Sequence, residues 1–177
     1  FDAIGFSLQY EMSYPTVLKM LEMSGIPYKN SERTENDPII IAGGPCAFNP
    51  LPVADFIDVF MIGDGEDSIV EVCEILEKTK GLSRQQRINA ICDGENSGCW
   101  SASAGGNVKK RIAQLTYETA LKSYPIPFSS SVHDRAIVEI RRGCGRMCRF
   151  CQPGHVTLPV RERPAEDIVK IAKELSL

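Results

Sequence analysis

No run of about 18 apolar residues occurs in this 177-residue chain, so its sequence holds no candidate for a membrane-spanning helix. It also lacks a charged start followed by an apolar stretch and a small-residue cleavage site, the pattern of a secretory leader, and it does not begin with methionine. A strong charge of either sign is missing. The 20 Lys and Arg against 23 Asp and Glu leave −3, which gives no overall sign of nucleic-acid affinity. There is no G-x-G-x-x-G, and no glycine loop ends in Lys-Ser/Thr, so the two common phosphate-cradling loops are excluded. The seven cysteines are odd in number and unevenly spread, unlike a secreted disulfide framework. They indicate a reducing cytoplasm, with thiols serving as core fillers or ligands.

What is present is an alternation of short apolar runs and helical periods. "DAIGFSLQ" reads as a buried strand, and "SYPTVLKMLEMSG" as a helix with Val17, Leu18, Leu21 and Met23 inward and Gly25 as its stop. "IIIAGG", bounded by Pro38 and by Gly43-Gly44-Pro45, gives a second strand, and "FIDVFMIGDGE" a third. "DSIVEVCEILEKTKG" follows as a helix with Ile69, Val72, Cys73 and Leu76 on one face, Asp67 or Ser68 as its cap, and Gly81 as its end. Short, wholly apolar strands alternating with helices indicate an α/β fold with a parallel sheet covered on both faces. The glycine clusters "AGGPCAFNP" and "IGDGED" follow strands, where such sheets bind ligands. They read either as a cofactor edge at Gly43 and Gly44 or as tight turns needing positive φ.

From residue 82 to about 134 the periodicity weakens into a connector. "SRQQRINAICDG" reads as a short helix and "GENSGCWSASAGGN" as a surface loop, while Pro125 and Pro127 exclude regular helix where they stand. Cys92 and Cys99 have no partnering His or second pair nearby and read as incidental or buried thiols. A strand over "AIVEI", residues 136–140, then leads into "RRGCGRMCRFCQPGH", and "RPAEDIVKIAKEL" forms a closing helix with Ile168, Ile171, Ala172 and Leu175 inward.

Cys144, Cys148 and Cys151 are spaced Cys-x3-Cys-x2-Cys. A structural zinc site wants four ligands, and the one nearby fourth is His155. A redox pair of Cys148 and Cys151 leaves Cys144 unexplained. Three thiolates on one loop suit a [4Fe–4S] cluster with one iron left open for a substrate or cofactor. Seven arginines (135, 141, 142, 146, 149, 161 and 163) against Glu139 and Glu162 surround the loop. They read either as a positive field, compatible with an RNA substrate, or as salt-bridged pairs.

With Phe150 immediately before the third cysteine, the motif resembles the signature of the radical S-adenosylmethionine (SAM) superfamily, Cys-x3-Cys-x-aromatic-Cys. The resemblance extends through "FDAIGFSLQYEMSYPTVLKMLEMSGIP" and "IIIAGGPCAFNPLPVADFIDVFMIGDGED" to proteins that carry a B12-binding-like Rossmann domain before the radical SAM barrel. More narrowly, it reaches a bacterial subgroup of Fe–S oxidoreductase-like proteins. The subgroup has Thr-Arg-Gly between its first two cysteines, where this chain has Gly145-Arg146-Met147.

The resemblance implies a [4Fe–4S] cluster on Cys144, Cys148 and Cys151, SAM chelated by the open iron with Phe150 against its adenine, and an external electron donor of flavodoxin or ferredoxin type. It divides the chain into a B12-binding-like part over residues 1–81, a connector over 82–134, and the start of a partial TIM barrel over 135–177. Cobalamin is not expected to be held through a histidine, because His133 and His155 lie outside any Asp-x-His-x-x-Gly. Ser7-Leu8-Gln9 also departs from the Ser-x-Leu such domains carry, although Gly43-Gly44 matches their later Gly-Gly. The chain reads as a fragment that starts at Phe1 in mid-sheet and stops at Leu177 after one barrel unit, with no complete active site of its own.

Overall fold

The computed structural model describes residues 1–94, 97–124, 128, 129 and 135–176. Pro125, Pro127, His133 and Leu177 lie outside the described residues. The chain divides into two compact units, Phe1–Ala113 and Gln114–Leu177.

In the first unit, β1 (Ala3–Ser7), β2 (Ile39–Gly43), β3 (Val59–Met61) and β4 (Cys99–Trp100) make one sheet in that order. The first three strands are parallel, with Ala3 opposite Ile39 and Ile41 opposite Val59, while β4 runs antiparallel to β3. This is a mixed α/β unit with a four-stranded, mostly parallel sheet.

The alternation of β2 assigns its residues to two cores. Ile40 and Ala42 join Phe60, Leu8, Val17 and Leu21 beneath helix α1 (Tyr14–Met23). Ile39 and Ile41 join Val59, Met61, Val72, Leu76, Ile88 and Ile91 beneath α2 (Ser68–Lys78) and α3 (Arg84–Ile91). Both faces of β2 are therefore dry, which is why it reads as an unbroken apolar run. Each buried isoleucine adds roughly 1.5–3 kcal/mol to the fold.

In the first unit, helix faces differ from the periodicity in two places. On α1, Met23 is 77% exposed, since Val17 and Leu21 already fill the contact. On α2, Ile69 and Cys73 are exposed, and the inward face is Ser68, Val72 and Leu76, flanked by half-buried Ile75. Ser68 can occupy an inward position because its hydroxyl donates to the Asp64 carbonyl at 2.9 Å. Asp67 is the N-cap residue but makes no side-chain cap bond. By contrast α3 carries a complete capping box: the Gln86 amide donates to the Ser83 hydroxyl, and the Ser83 amide donates to the Gln86 side chain.

The stretch expected to be a surface loop contains β4. Cys99 is 1% exposed, and the Trp100 ring lies 5.8 Å from that of Phe60. Residues 82–113, read as the first part of a connector, belong to the first compact unit. Gly63 fixes their return. At φ +108° it forms a bridge with Arg111, and a Cβ there would fall 2.2 Å from the Arg111 carbonyl oxygen. Around it the Ile62 amide donates to the Gly98 carbonyl, and the Arg111 amide to the Ile62 carbonyl.

In the second unit, β5 (Arg141–Arg142) pairs antiparallel with β6 (Arg161–Glu162), and α4 (Pro153–Val156) and α5 (Ala165–Leu175) follow the cysteine run and the ribbon respectively. The strand expected over residues 136–140 is absent. A strand exists only by pairing, and among the described residues only 141 and 142 find partners; Ile137 and Ile140 are exposed. On α5, Ile171 is buried and Ile168 and Leu175 are half-buried, while Ala172 is exposed. Among the described residues no helix is long and apolar enough to cross a membrane.

Candidate functional site

The three cysteines lie on a single loop between β5 and β6, shaped by residues with left-handed backbone. Gly143, at φ +93°, lets the return limb pass so closely that a Cβ would stand 2.7 Å from the Thr157 carbonyl oxygen and 2.9 Å from that of Pro159. Only glycine fits there. Met147 also sits at φ 50°, a conformation that costs a non-glycine residue about 1–2 kcal/mol. This is the position where the resembling subgroup has glycine. The loop therefore keeps the turn that glycine would make, and Met147, 54% exposed, bears the strain.

The rest of the loop is held by backbone groups. The Cys151 amide donates to the Cys148 carbonyl at 2.9 Å, and the same carbonyl lies 3.2 Å from His155 Nε2. With Nε2 protonated, the imidazole on α4 braces the turn between the second and third cysteines. Gly154, buried in α4, lies under Met147, where a Cβ would come 3.5 Å from the Met147 Cα.

Cys144 and Cys151 are half-buried and Cys148 is exposed, and all three are free thiols. Among the described residues no three His, Cys, Asp or Glu side chains stand close enough together to hold a metal ion, so the loop shares the cysteines without gathering their sulfurs. Their chemistry nevertheless suits a soft metal or an iron–sulfur cluster: three unoxidised thiols lie within eight residues, accessible enough to turn toward a common point. Phe150 presents its ring to solvent, 93% exposed.

The arginines divide. Arg142 forks onto Glu139 with two contacts of 2.9 Å, and Arg141 lies 3.9 Å from Glu162. Arg163 is buried. Its Nε donates to the Glu139 carbonyl, its Nη1 to the Thr116 carbonyl, and its backbone amide to the Ile140 carbonyl, tying the root of the loop together. Arg146 and Arg149 stay exposed on the loop and form no ion pair among the described residues. The pattern of charge could not have told these two groups apart, because the distinction is one of burial.

The sequence's second candidate, Gly43 and Gly44, serves the sheet. Gly43 ends β2, and its carbonyl accepts the Leu8 amide at 2.7 Å. Gly44, at φ +93°, leaves room for the Leu8 backbone, whose carbonyl oxygen would be 2.8 Å from a Cβ. The space the glycine opens is filled by the chain itself.

Of the other cysteines, Cys46, Cys92 and Cys99 sit in packing positions and Cys73 is exposed. Burial, with Cys99 nearby, pushes the Cys92 thiol up to about 12, and burial pushes Cys99 up to about 11. Cys46 is likewise raised by burial. These thiols stay protonated at neutral pH and are poor ligands.

Sequence reasoning missed one charged cluster altogether. Asp58 is 4% exposed, and its Oδ2 accepts from Arg33 Nη1 at 2.9 Å, from Arg84 Nη2 at 2.5 Å and from the Ile40 amide at 2.7 Å. Arg33 also donates to the carbonyls of Pro27, Tyr28 and Phe56, and Arg84 to that of Asp37. Burial lowers the Arg33 pKa, an effect that Asp58 opposes.

The family model described as radical SAM proteins, N-terminal, matches residues 1–97. The chain is also 32% identical over 177 residues to the uncharacterized protein MJ0966 of Methanocaldococcus jannaschii. That alignment takes in 98% of this chain and 35% of the relative, so the chain spans about a third of the relative's length.

Proposed function

This chain belongs to the radical SAM proteins, and from that premise we propose that it is part of an enzyme whose Cys144, Cys148 and Cys151 hold a [4Fe–4S] cluster. When bound there, such a cluster supplies an open iron for SAM and the electron that cleaves a carbon–sulfur bond to start radical chemistry. The observation that carries this reading is the Cys-x3-Cys-x2-Cys loop, with all three thiols free and its turn closed by Gly143.

The chain's own residues have distinct tasks. The three thiolates ligate. His155 and Arg163 hold the loop's turn and root, and Phe150, free of packing duties, is available to lie against the adenine. Arg146 and Arg149 supply positive charge beside a reduced, anionic site. They also keep an RNA substrate within this reading, while a flavodoxin- or ferredoxin-type protein is the electron donor.

The finer reading takes the first unit as a B12-binding-like Rossmann sheet and residues 135–177 as the first unit of a partial TIM barrel, with 82–134 between them. No corrinoid ligand is assigned, since His155 braces the cysteine loop and no Asp-x-His-x-x-Gly is present. The Leu8 backbone against Gly44 supports a turn-forming role for that glycine pair rather than a cofactor contact.

The competing assignment is a zinc module with His155 as fourth ligand. His155→Gln discriminates, because an amide can still donate to the Cys148 carbonyl. After anaerobic reconstitution the variant is expected to stay brown and keep its iron. A zinc-ligating histidine would instead cost at least the roughly 10–100-fold in metal affinity that even outer-shell partners cost, and colourless protein with stoichiometric zinc would refute the cluster.

A further inference from the structure

The Arg33–Asp58–Arg84 cluster forms the floor of a cavity of about 410 Å3, which is unrelated to the cysteine loop. Its walls include Glu35, Gln85, Ile88, Ser101 and Ser103. It opens at the amino-terminal edge of the sheet: Asp58 immediately precedes β3, Arg33 and Glu35 precede β2, and Arg84 begins α3. The glycine turns after β2 and β3 lie at the opposite edge.

The chemistry of the walls restricts the occupant. Asp58 lines the cavity, and all three hydrogen bonds to its carboxylate end on Oδ2, which leaves Oδ1 without a donor among the described residues. An ionised carboxylate oxygen keeps lone pairs that can accept from a ligand hydroxyl. A cationic ligand is disfavoured, because two guanidinium groups already neutralise Asp58. An anion is disfavoured as well, because the amide at the α3 N-terminus is taken by Glu35 Oε2 at 2.6 Å. The two carboxylates and two guanidiniums sum to zero.

Hydroxyl groups complete the lining. Ser101 and Ser103 lie 3.0 Å apart, and Gln85 donates to Ser103 at 2.9 Å, which presents both donors and acceptors, while Ile88 offers one apolar surface. The volume falls within the roughly 300–1,000 Å3 of small-molecule sites.

We propose that this cavity binds a neutral molecule with adjacent hydroxyl groups, a sugar or the ribose of a nucleoside, which donates to Asp58 Oδ1 and to Glu35 and accepts from the serine pair. The site belongs to the first unit and is independent of the cluster reading, so it is tested on metal-free protein.

The experiment is an NMR titration of the 15N-labelled chain with D-ribose, 2-deoxy-D-ribose and adenosine. D-ribose is expected to give saturable shifts at the amides of Gln85, Ser101 and Ser103, and 2-deoxy-D-ribose to bind at least about tenfold more weakly, as loss of one hydroxyl to a charged acceptor implies. Adenosine binding more tightly than D-ribose would identify a nucleoside as the source of the ribose, and equal binding a free sugar; either supports the site. Ser103→Trp, at an exposed rim position, is expected to fold and to abolish the shifts. Absence of saturation, equal binding of the deoxy sugar, or shifts that survive in the folded Ser103→Trp protein would each overturn the proposal.

Discussion

Cys148→Ala protein, reconstituted anaerobically with iron and sulfide, is expected to lose most of its iron, and Cys144→Ala and Cys151→Ala to behave alike. Loss of an outer-shell partner weakens a metal site by about 10–100-fold, so loss of a ligand costs at least that. Replacing Cys46, Cys73, Cys92 or Cys99 by alanine should leave iron content nearly unchanged. Cys46, Cys92 and Cys99 are held protonated by burial, and Cys73 stands exposed on α2 with no second thiol described beside it. Iron analysis with absorption spectra checks both halves. Wild-type iron in Cys148→Ala protein would refute ligation by the loop, and iron lost equally in all seven variants would mean that unfolding, rather than ligation, controls binding.

Asp58→Ala is the substitution expected to damage the fold most. It removes the shared acceptor of two buried guanidinium groups and leaves both charges uncompensated, which costs about 3–5 kcal/mol for a buried pair broken on one side. At the scale of this chain that lowers the unfolding midpoint by roughly 6–20 °C. A combined Arg33→Met, Asp58→Leu, Arg84→Met protein should regain most of the loss, because the penalty arises from unpaired charge rather than from missing volume. Thermal unfolding followed by circular dichroism distinguishes the two. A drop below about 1 kcal/mol in Asp58→Ala protein, the range of exposed ion pairs, would show that the cluster is solvated.

How far the sequence carried the fold depends on what kind of signal each element leaves. β2 was legible because it is dry on both faces and bounded by Pro38 and Gly44, and α3 was legible as a short helix, although its capping box emerged only from the structure. α2 was legible as a helix but not in its facing. Ile69 and Cys73 fit the period as well as Ser68 and Val72 do, and the sheet selects the pair that includes a serine with a backbone partner. β4 is two residues long and set among small polar residues, and it exists because β3 has an edge for it to pair with. Residues 136–140 fail in the reverse direction: they have strand composition without a partner strand among the described residues.

The site divides in the same way. The cysteine spacing is a local pattern and can be read directly, as can the missing glycine at Met147, whose left-handed backbone gives that departure its physical meaning. The Arg33–Asp58–Arg84 cluster joins residues 25 and 26 positions apart, and no local pattern marks a lone charge as buried. The arginines around the loop show the same limit, since Arg163 and Arg149 look equivalent in the sequence and only the fold buries one and exposes the other.

The most direct test of the central claim is the EPR spectrum of the reduced cluster, recorded on reconstituted full-length protein with and without SAM. An iron left open by three thiolates should respond to SAM with a shifted signal, and the reduced protein should release 5′-deoxyadenosine and methionine. Phe150→Ala should keep its iron while binding SAM more weakly, by roughly 1–3 kcal/mol on the scale of base–aromatic stacking. A cluster whose spectrum is identical with and without SAM, and which yields no 5′-deoxyadenosine, would contradict the claim and make the loop a structural or electron-transferring site.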